Sequence, residues 1–221
     1  MRINKFVASA TGMSRRAADA AISQGRVTIN SRPAANGSAV SGSDIVRLDS
    51  SVLELPASTT TIMLNKPVGY VCSRDGQGSK TIYDLLPADL HHLKPVGRLD
   101  KDSSGLILLT DDGDLANRLT HPRYAKEKIY DIKLDKPLSD EHKIRIEQQG
   151  VELDDGPSRL KIDQVKGASL RATLSEGRNR QIRRTFAALG YEVRGLHRTA
   201  FGPYDLGTCS RGRHRILYTD G

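Results

Sequence analysis

The segment Gly105–Thr110, GLILLT, constrains the fold more than any other part of the chain. Its aliphatic residues run together rather than alternating. Turn-forming stretches bracket it, GRLDKDSS before and DDGD after. So short and so apolar a run, closed by a turn, predicts a buried strand. A packed core must then surround it, and 221 residues with 37% hydrophobic content supply the material. Four charged residues crowd its entrance: Arg98, Asp100, Lys101 and Asp102. Asp100 there is either a turn residue or a chemical group.

The remaining elements follow from local pattern. Ile3, Phe6 and Val7 stand at helical spacing, Gly12 is a stop, and Ser14 is an N-cap for a helix that buries Ala18, Ala21 and Ile22. GRVTIN and SGSDIVRL read as strands. The Ser/Thr-rich stretch over 51–61 reads as a linker, which predicts a domain over 1–58 and a second over 59–221. In the second, TIMLNKPVGYVCSR reads as a strand broken at Lys66-Pro67 and resumed at GYVC. TIYDLLP reads as a short helix or turn, and DLANRLTHP as a helix ended by Pro122. EKIYDIKL, RLKIDQV and SLRATLSE alternate as strands, and RNRQIRRTFAALGY is a helix with Ile182, Phe186 and Leu189 on one face. YEVRGLHRTAFGPYDL returns to strand and turn, and RILYT is strand-like. Strands mostly follow strands. The expected class is therefore α+β, with a mixed, largely antiparallel sheet flanked by helices.

Charge narrows the partner. The net charge is +8, and residues 1–58 hold seven Lys/Arg against four Asp/Glu. Residues 59–174 balance, and residues 175–221 hold nine Arg, no Lys and four acids. Basic ends around a neutral middle suit an extended polyanion held at two places. Arg15 and Arg16 in a first helical turn oppose the helix dipole, a conflict that a phosphate at that helix end would resolve. No apolar run approaches the roughly 18–20 residues that span a bilayer. With no secretory signal either, the chain is expected to be cytoplasmic, with no membrane partner. Cys72 and Cys209 are expected as two reduced thiols, and His91-His92 as a solvated loop pair rather than a zinc site.

INKFVASATGMSRRAADAAISQGRVTIN followed by GSDIV resembles the S4-like RNA-binding module over roughly residues 1–50. The resemblance implies RNA binding, with Arg2, Lys5, Ser14, Arg15, Arg16 and Arg26 as the candidate contacts.

GRLDKDSSGLILLTDDGDLANRLTHP resembles the signature of bacterial pseudouridine synthases: an RLD segment, an SGL strand, and Thr110, Gly113 and Leu115 leading into a helix. LNKPVGYVCS (64–73), KIYDIKL (128–134) and EGRNRQIRRTFAALGYEVRGLHRTAFG (176–202) resemble further motifs of that family, closest to the branch acting on ribosomal RNA one site at a time. The resemblance implies that Asp100 is the essential carboxylate. Tyr130 would stack on the target uracil or help remove its proton, Arg183 would pair with Asp100, and Ile182 would pack beside the base. Arg98 would fill the gap in the RNA or bind phosphates. Arg178, Arg180 and Arg184, with Lys66, would hold RNA around the cleft.

The expected reaction moves a uracil from nitrogen to carbon attachment on its ribose. It needs a carboxylate and a base but no metal, redox carrier or nucleotide, so no cofactor is expected. The expected substrate is large-subunit ribosomal RNA, with small-subunit RNA as the alternative. A non-catalytic ribosome-assembly factor and a tRNA-directed enzyme are the competing readings. Nothing marks a dimer face, and a monomer is expected.

Overall fold

The structure, a computed structural model, describes residues 1–217, less the side chains of residues 164 and 165. It divides into one compact unit of Met1–Thr60 with Asp111–Gly113, and a second comprising Thr61–Thr110 with Asp114 onward.

In the first unit, α1 (Ile3–Thr11) ends at Gly12, whose φ of 76° lets its N–H reach the Ala8 carbonyl. Ser14 caps α2 (Arg15–Ser23), its hydroxyl accepting from the Ala17 N–H at 3.1 Å. Both helices turn their buried faces, Ile3 and Val7 on one and Ala18, Ala21 and Ile22 on the other, into one small core with Val27, Val40 and Val46. The sheet has four strands in the order β2-β1-β3-β4: β1 (Val27–Ile29), β2 (Arg32–Pro33), β3 (Val46–Leu48) and β4 (Ser51–Val52). β2 and β4 are additions to the expected strands. Each closes a tight hairpin through a pair of positive-φ residues, Asn30-Ser31 and Asp49-Ser50. The stretch read as a linker over 51–61 thus starts as a paired strand.

The second unit is built on β5 (Thr61–Lys66), β6 (Lys94–Val96), β7 (Ser104–Thr110), β8 (Lys128–Leu134), β9 (Lys161–Lys166), β10 (Ser169–Leu174), β11 (Val193–Phe201), β12 (Tyr204–Asp205) and β13 (His214–Leu217). Its main path is β13-β5-β7-β11-β8-β10-β9, antiparallel throughout except for the parallel pair β7–β11. Its helices are α3 (Gly113–Thr120), α4 (Asp140–Ile144), which runs on into a π-helical turn, and α5 (Gln181–Ala187). The class is α+β with a mixed, largely antiparallel sheet, as the pattern of strands predicted.

β7 is buried along its whole length. Ile107 and Leu109 enter the core that also holds Ile62, Leu64, Ile182 and Phe186. Leu106 and Leu108 enter the opposite one with Met63, Leu115, Leu119 and Phe201. Two dry faces explain the unbroken apolar run. Truncating any one of these four β7 side chains to Ala is expected to cost about 2–5 kcal/mol.

Two details depart from expectation. GYVC is not a strand: Tyr70–Cys72 is a loop bridged at Val71 to Thr81, with the Cys72 thiol donating to the Leu99 carbonyl at 3.3 Å. β6 pairs with the far end of β7 despite carrying Pro95, which an edge position tolerates. In RILYT, residues 215–217 belong to β13, and Tyr218 and Thr219 lie outside the described residues.

Candidate active site

The Asp100 turn is fastened from below. Lys66 ends β5 and is fully buried. Its Nζ donates to three carbonyls: Pro67 at 3.1 Å, Asp100 at 3.0 Å and Ser103 at 2.6 Å. Burial pulls the pKa of this ammonium below the ordinary lysine range, against the opposing fields of Cys72, Asp100 and Asp102. Lys66 therefore cannot touch RNA, contrary to expectation. A donor sealed under the turn serves to hold the backbone of residues 100–103. Leu99, buried beside the Cys72 thiol, anchors the same turn to the core.

On the other side, Gly105 lies flat against β11. Its φ is +107°, and a Cβ built there would come within 2.2 Å of the Arg198 carbonyl oxygen. Only glycine lets β7 approach β11 this closely, which explains the SGL segment in physical terms.

Above the turn stand two carboxylates and two arginines. The Asp100 carboxylate is one-third exposed, and its Oδ2 lies 3.7 Å from Arg180 Nη1. Asp102 takes the closer contacts. Arg180 grips it with two hydrogen bonds of 3.0 and 3.1 Å, and Arg183 Nε lies 3.3 Å from its Oδ2. Burial would lift the Asp102 carboxyl, but the bonds from Arg180 and the fields of Arg183 and Arg180 outweigh it, and its pKa falls below the usual carboxylate range. The expected pairing of Arg183 with Asp100 is thus corrected. Arg183 binds Asp102 and the carbonyls of Asp102 and Val193, while Arg180 faces Asp100. The reason is local: α5 starts at Gln181, and Arg180 precedes it in the left-handed conformation, φ 45° and ψ 30°. Its side chain therefore leaves the helix end rather than its flank.

A cleft of about 630 Å³ opens over Asp100, with Arg98, Lys128, Tyr130, Arg180 and Ile182 in its walls. Tyr130 comes from β8 and is 8% exposed. Its hydroxyl accepts from Arg198 Nη1 at 3.5 Å. Arg198 and Lys128 were missed as site residues by the reading of the sequence. The period of two gave a signal for each: Lys128 shares Tyr130's face of β8, and Arg198 stands between Leu196 and Ala200 on β11.

The other candidates divide. Arg178 reaches the cleft wall, but its guanidinium is spent on the carbonyls of Asp155, Gly156 and Pro157 and on the carboxylates of Asp155 and Glu176. Arg184 also binds Asp155, bidentately at 2.7 and 3.0 Å, and does not line the cleft. Both pin a loop rather than offer a free fork to phosphate. In the first unit, Arg2, Arg15 and Arg16 are exposed, and Arg15 donates to Asn4 at 3.1 Å. Lys5 is half-buried, and the Ser14 hydroxyl accepts as the cap. Arg26 is engaged by Asp49 in a two-bond surface pair. Cys72 and Cys209 are free thiols, and burial raises the pKa of Cys72.

Comparison with known proteins gives a family for each part of the chain. The family described as RNA pseudouridylate synthase matches residues 60–188, and the S4 domain matches residues 1–46. An uncharacterized RNA pseudouridine synthase of Aquifex aeolicus is 38% identical, over 98% of this chain and 90% of that protein. Ribosomal small subunit pseudouridine synthase A of Pasteurella multocida is 36% identical, over 98% of this chain and 96% of its own length. Ribosomal large subunit pseudouridine synthase B of Bacillus subtilis is also 36% identical, over 96% and 88%. A crystal structure of a pseudouridylate synthase aligns with a TM-score of 0.72 at 35% identity, covering 99% of this chain and 96% of that one.

Proposed function

The chain belongs to the RNA pseudouridine synthase family, and from that premise we propose that it isomerises one uridine of ribosomal RNA, with Asp100 as the reacting carboxylate. The observation that carries the assignment is the one-third exposed Asp100 carboxylate, 3.7 Å from Arg180, in a cleft it shares with Tyr130. An assembly factor without chemistry would have no use for a carboxylate held open in this way.

The chemistry fits the residue types. The target base must leave its stack, which costs a few kcal/mol, and enter the cleft. A volume of about 630 Å³ lies within the usual range for a bound small group. Asp100 either attacks ribose C1′ or assists elimination from it as the bond to N1 breaks. The uracil then turns, and C5 joins C1′. Tyr130 stacks on the base or takes the C5 proton, Ile182 packs beside it, and Arg98 meets the displaced RNA. Arg180 and Arg183, held by Asp102, fix the field around Asp100. The reaction conserves oxidation state and adds no group, so it proceeds without a cofactor.

Residues 1–58 would bind RNA through Arg15 and Arg16 at the start of α2, and residues 59–221 would carry the chemistry. Among the described residues, no helix is long and apolar enough to cross a membrane. A cytoplasmic monomer working on rRNA is the setting we propose. Large-subunit RNA is the first substrate to test. Small-subunit RNA is the second reading, since relatives named for each are equally similar, at 36% identity. Pseudouridines mapped in both RNAs from strains with and without the gene would decide between them. One uridine should lose its modification and regain it on complementation. An unchanged map in both RNAs would overturn the assignment.

A further inference from the structure

Arg198 is a buried cation in the wall of the cleft. It is 2% exposed. Its Nε donates to the Leu106 carbonyl at 2.7 Å and its Nη1 to Tyr130 at 3.5 Å, while Nη2 is buried without any acceptor. The guanidinium lies 4.9 Å from the centre of the Phe201 ring. Among the described residues, no carboxylate comes within ion-pair distance of it.

Lys128 stands beside it, its Nζ 5.3 Å from the same ring. Burial, and then the charge of Arg198, pull the Lys128 pKa down. Its hydrogen bonds go to the carbonyls of Lys126 and Glu176, both at 3.3 Å. The Glu176 carboxylate is itself taken by Arg178 and Gln181. A buried guanidinium and a half-buried ammonium without a bound anion are unfavourable in the resting protein. Such an arrangement persists where negative charge arrives later.

We propose that Arg198, seconded by Lys128, stabilises the uracil anion released when the glycosidic bond breaks. This rests on the pseudouridine synthase reading. The C1′–N1 bond breaks with its electron pair leaving on the base, so the uracil departs as a monoanion whose charge is shared among N1, O2 and O4. This holds whether C1′ is captured by Asp100 or a C2′ proton passes to Asp100 in elimination. When C5 then bonds to C1′, the carboxylate is released or the C2′ proton is returned. The C5 proton passes to a base and N1 takes one up, so charge and oxidation state balance. The orphaned Nη2 donor is suited to a carbonyl oxygen that becomes a strong acceptor only in the anion.

The test uses the full chain and an rRNA transcript tritiated at uridine C5, read by single-turnover tritium release. Arg198→Met should slow release about 10²–10³-fold, the effect of removing one preorganised donor to a developing anion. RNA affinity should stay within about threefold, and Arg198→Lys should recover at least about tenfold of the loss. With 5-fluorouridine at the target, whose base is a better leaving group, glycosidic cleavage is followed in digests, and the deficit should shrink at least about tenfold. A deficit equal for both bases, or one expressed as weaker RNA binding, overturns the inference. If the Arg198 variants do not fold by circular dichroism, Lys128→Met carries the test. It should show a leaving-group-dependent deficit of about tenfold, and wild-type rates there would likewise overturn the inference. No release from any rRNA by the wild type defeats the pseudouridine reading itself. An active wild type with equally active Arg198→Met defeats only the role of Arg198.

Discussion

Gly105→Ala would separate packing from chemistry within a single methyl group. The added Cβ would sit 2.2 Å from the Arg198 carbonyl oxygen and 2.5 Å from its nitrogen, where ordinary contact begins near 3.4 Å. The β7–β11 pair must open by about 1.2 Å, the difference between those first and last distances. Both atoms struck are backbone, so no side chain can swing aside. A φ of +107° adds the strain of an L-residue in left-handed space, about 1–2 kcal/mol. Overpacking adds about 1–3 kcal/mol. The sum, roughly 2–5 kcal/mol, lowers Tm by roughly 5–15 °C in a domain of this size. The same opening moves the Asp100 turn away from Arg198 and Tyr130, and a displacement near 1 Å is expected to cost about 10²-fold in kcat. Thermal unfolding by circular dichroism and single-turnover kinetics at a temperature where the variant is folded measure both effects. A Tm within about 3 °C of wild type with full activity would refute the reasoning.

Four further outcomes follow from the same geometry. Asp102→Asn frees Arg180 to close on Asp100, so kcat should fall about tenfold with KM little changed; an unaltered kcat contradicts the positioning role. Gln at both Arg15 and Arg16 should reduce the slope of log affinity against log salt by about 1.4–1.8, the loss of two phosphate contacts. Arg184→Gln should leave that slope unchanged, since its guanidinium is already bound to Asp155, and a reduced slope would place Arg184 on RNA after all. Lys66 gives a pH signature: with its folded pKa depressed, the unfolded chain binds more protons between the two values, so stability rises with pH. The wild type should thus gain stability over Lys66→Met as pH climbs toward the ordinary lysine pKa of about 10.4. A flat or falling difference in urea unfolding would count against the buried ammonium.

What could be read from the chain follows from how local each signal is. β7 was legible because two dry faces leave no polar position to interrupt GLILLT. α2 was legible because Ser14 caps it through a bond three residues away. The hairpins to β2 and β4 were hidden, since their turns are Asn30-Ser31 and Asp49-Ser50 without the usual glycine. β6 was hidden behind Pro95. At the site, Asp100 and Tyr130 stood out by motif, but Lys66 was misread as a surface residue. Lysine is seldom fully buried, and the three carbonyls that hold it come together only in the fold. The partner of Arg183 could not be read, because it depends on where α5 begins and on the left-handed turn of Arg180. Arg198 acquires its meaning only from the register that sets it opposite Gly105 on one side and Tyr130 on the other.

The central claim is that the Asp100 carboxylate carries the reaction while the rest of the surface holds RNA. Asp100→Asn preserves shape and removes the reacting oxygen anion, and Asp102 keeps its own grip on Arg180 and Arg183. Incubated with rRNA from cells lacking the gene, this variant should form no pseudouridine at the target while binding that RNA within about threefold of wild type. Pseudouridine formed by Asp100→Asn at a rate near wild type would contradict the account.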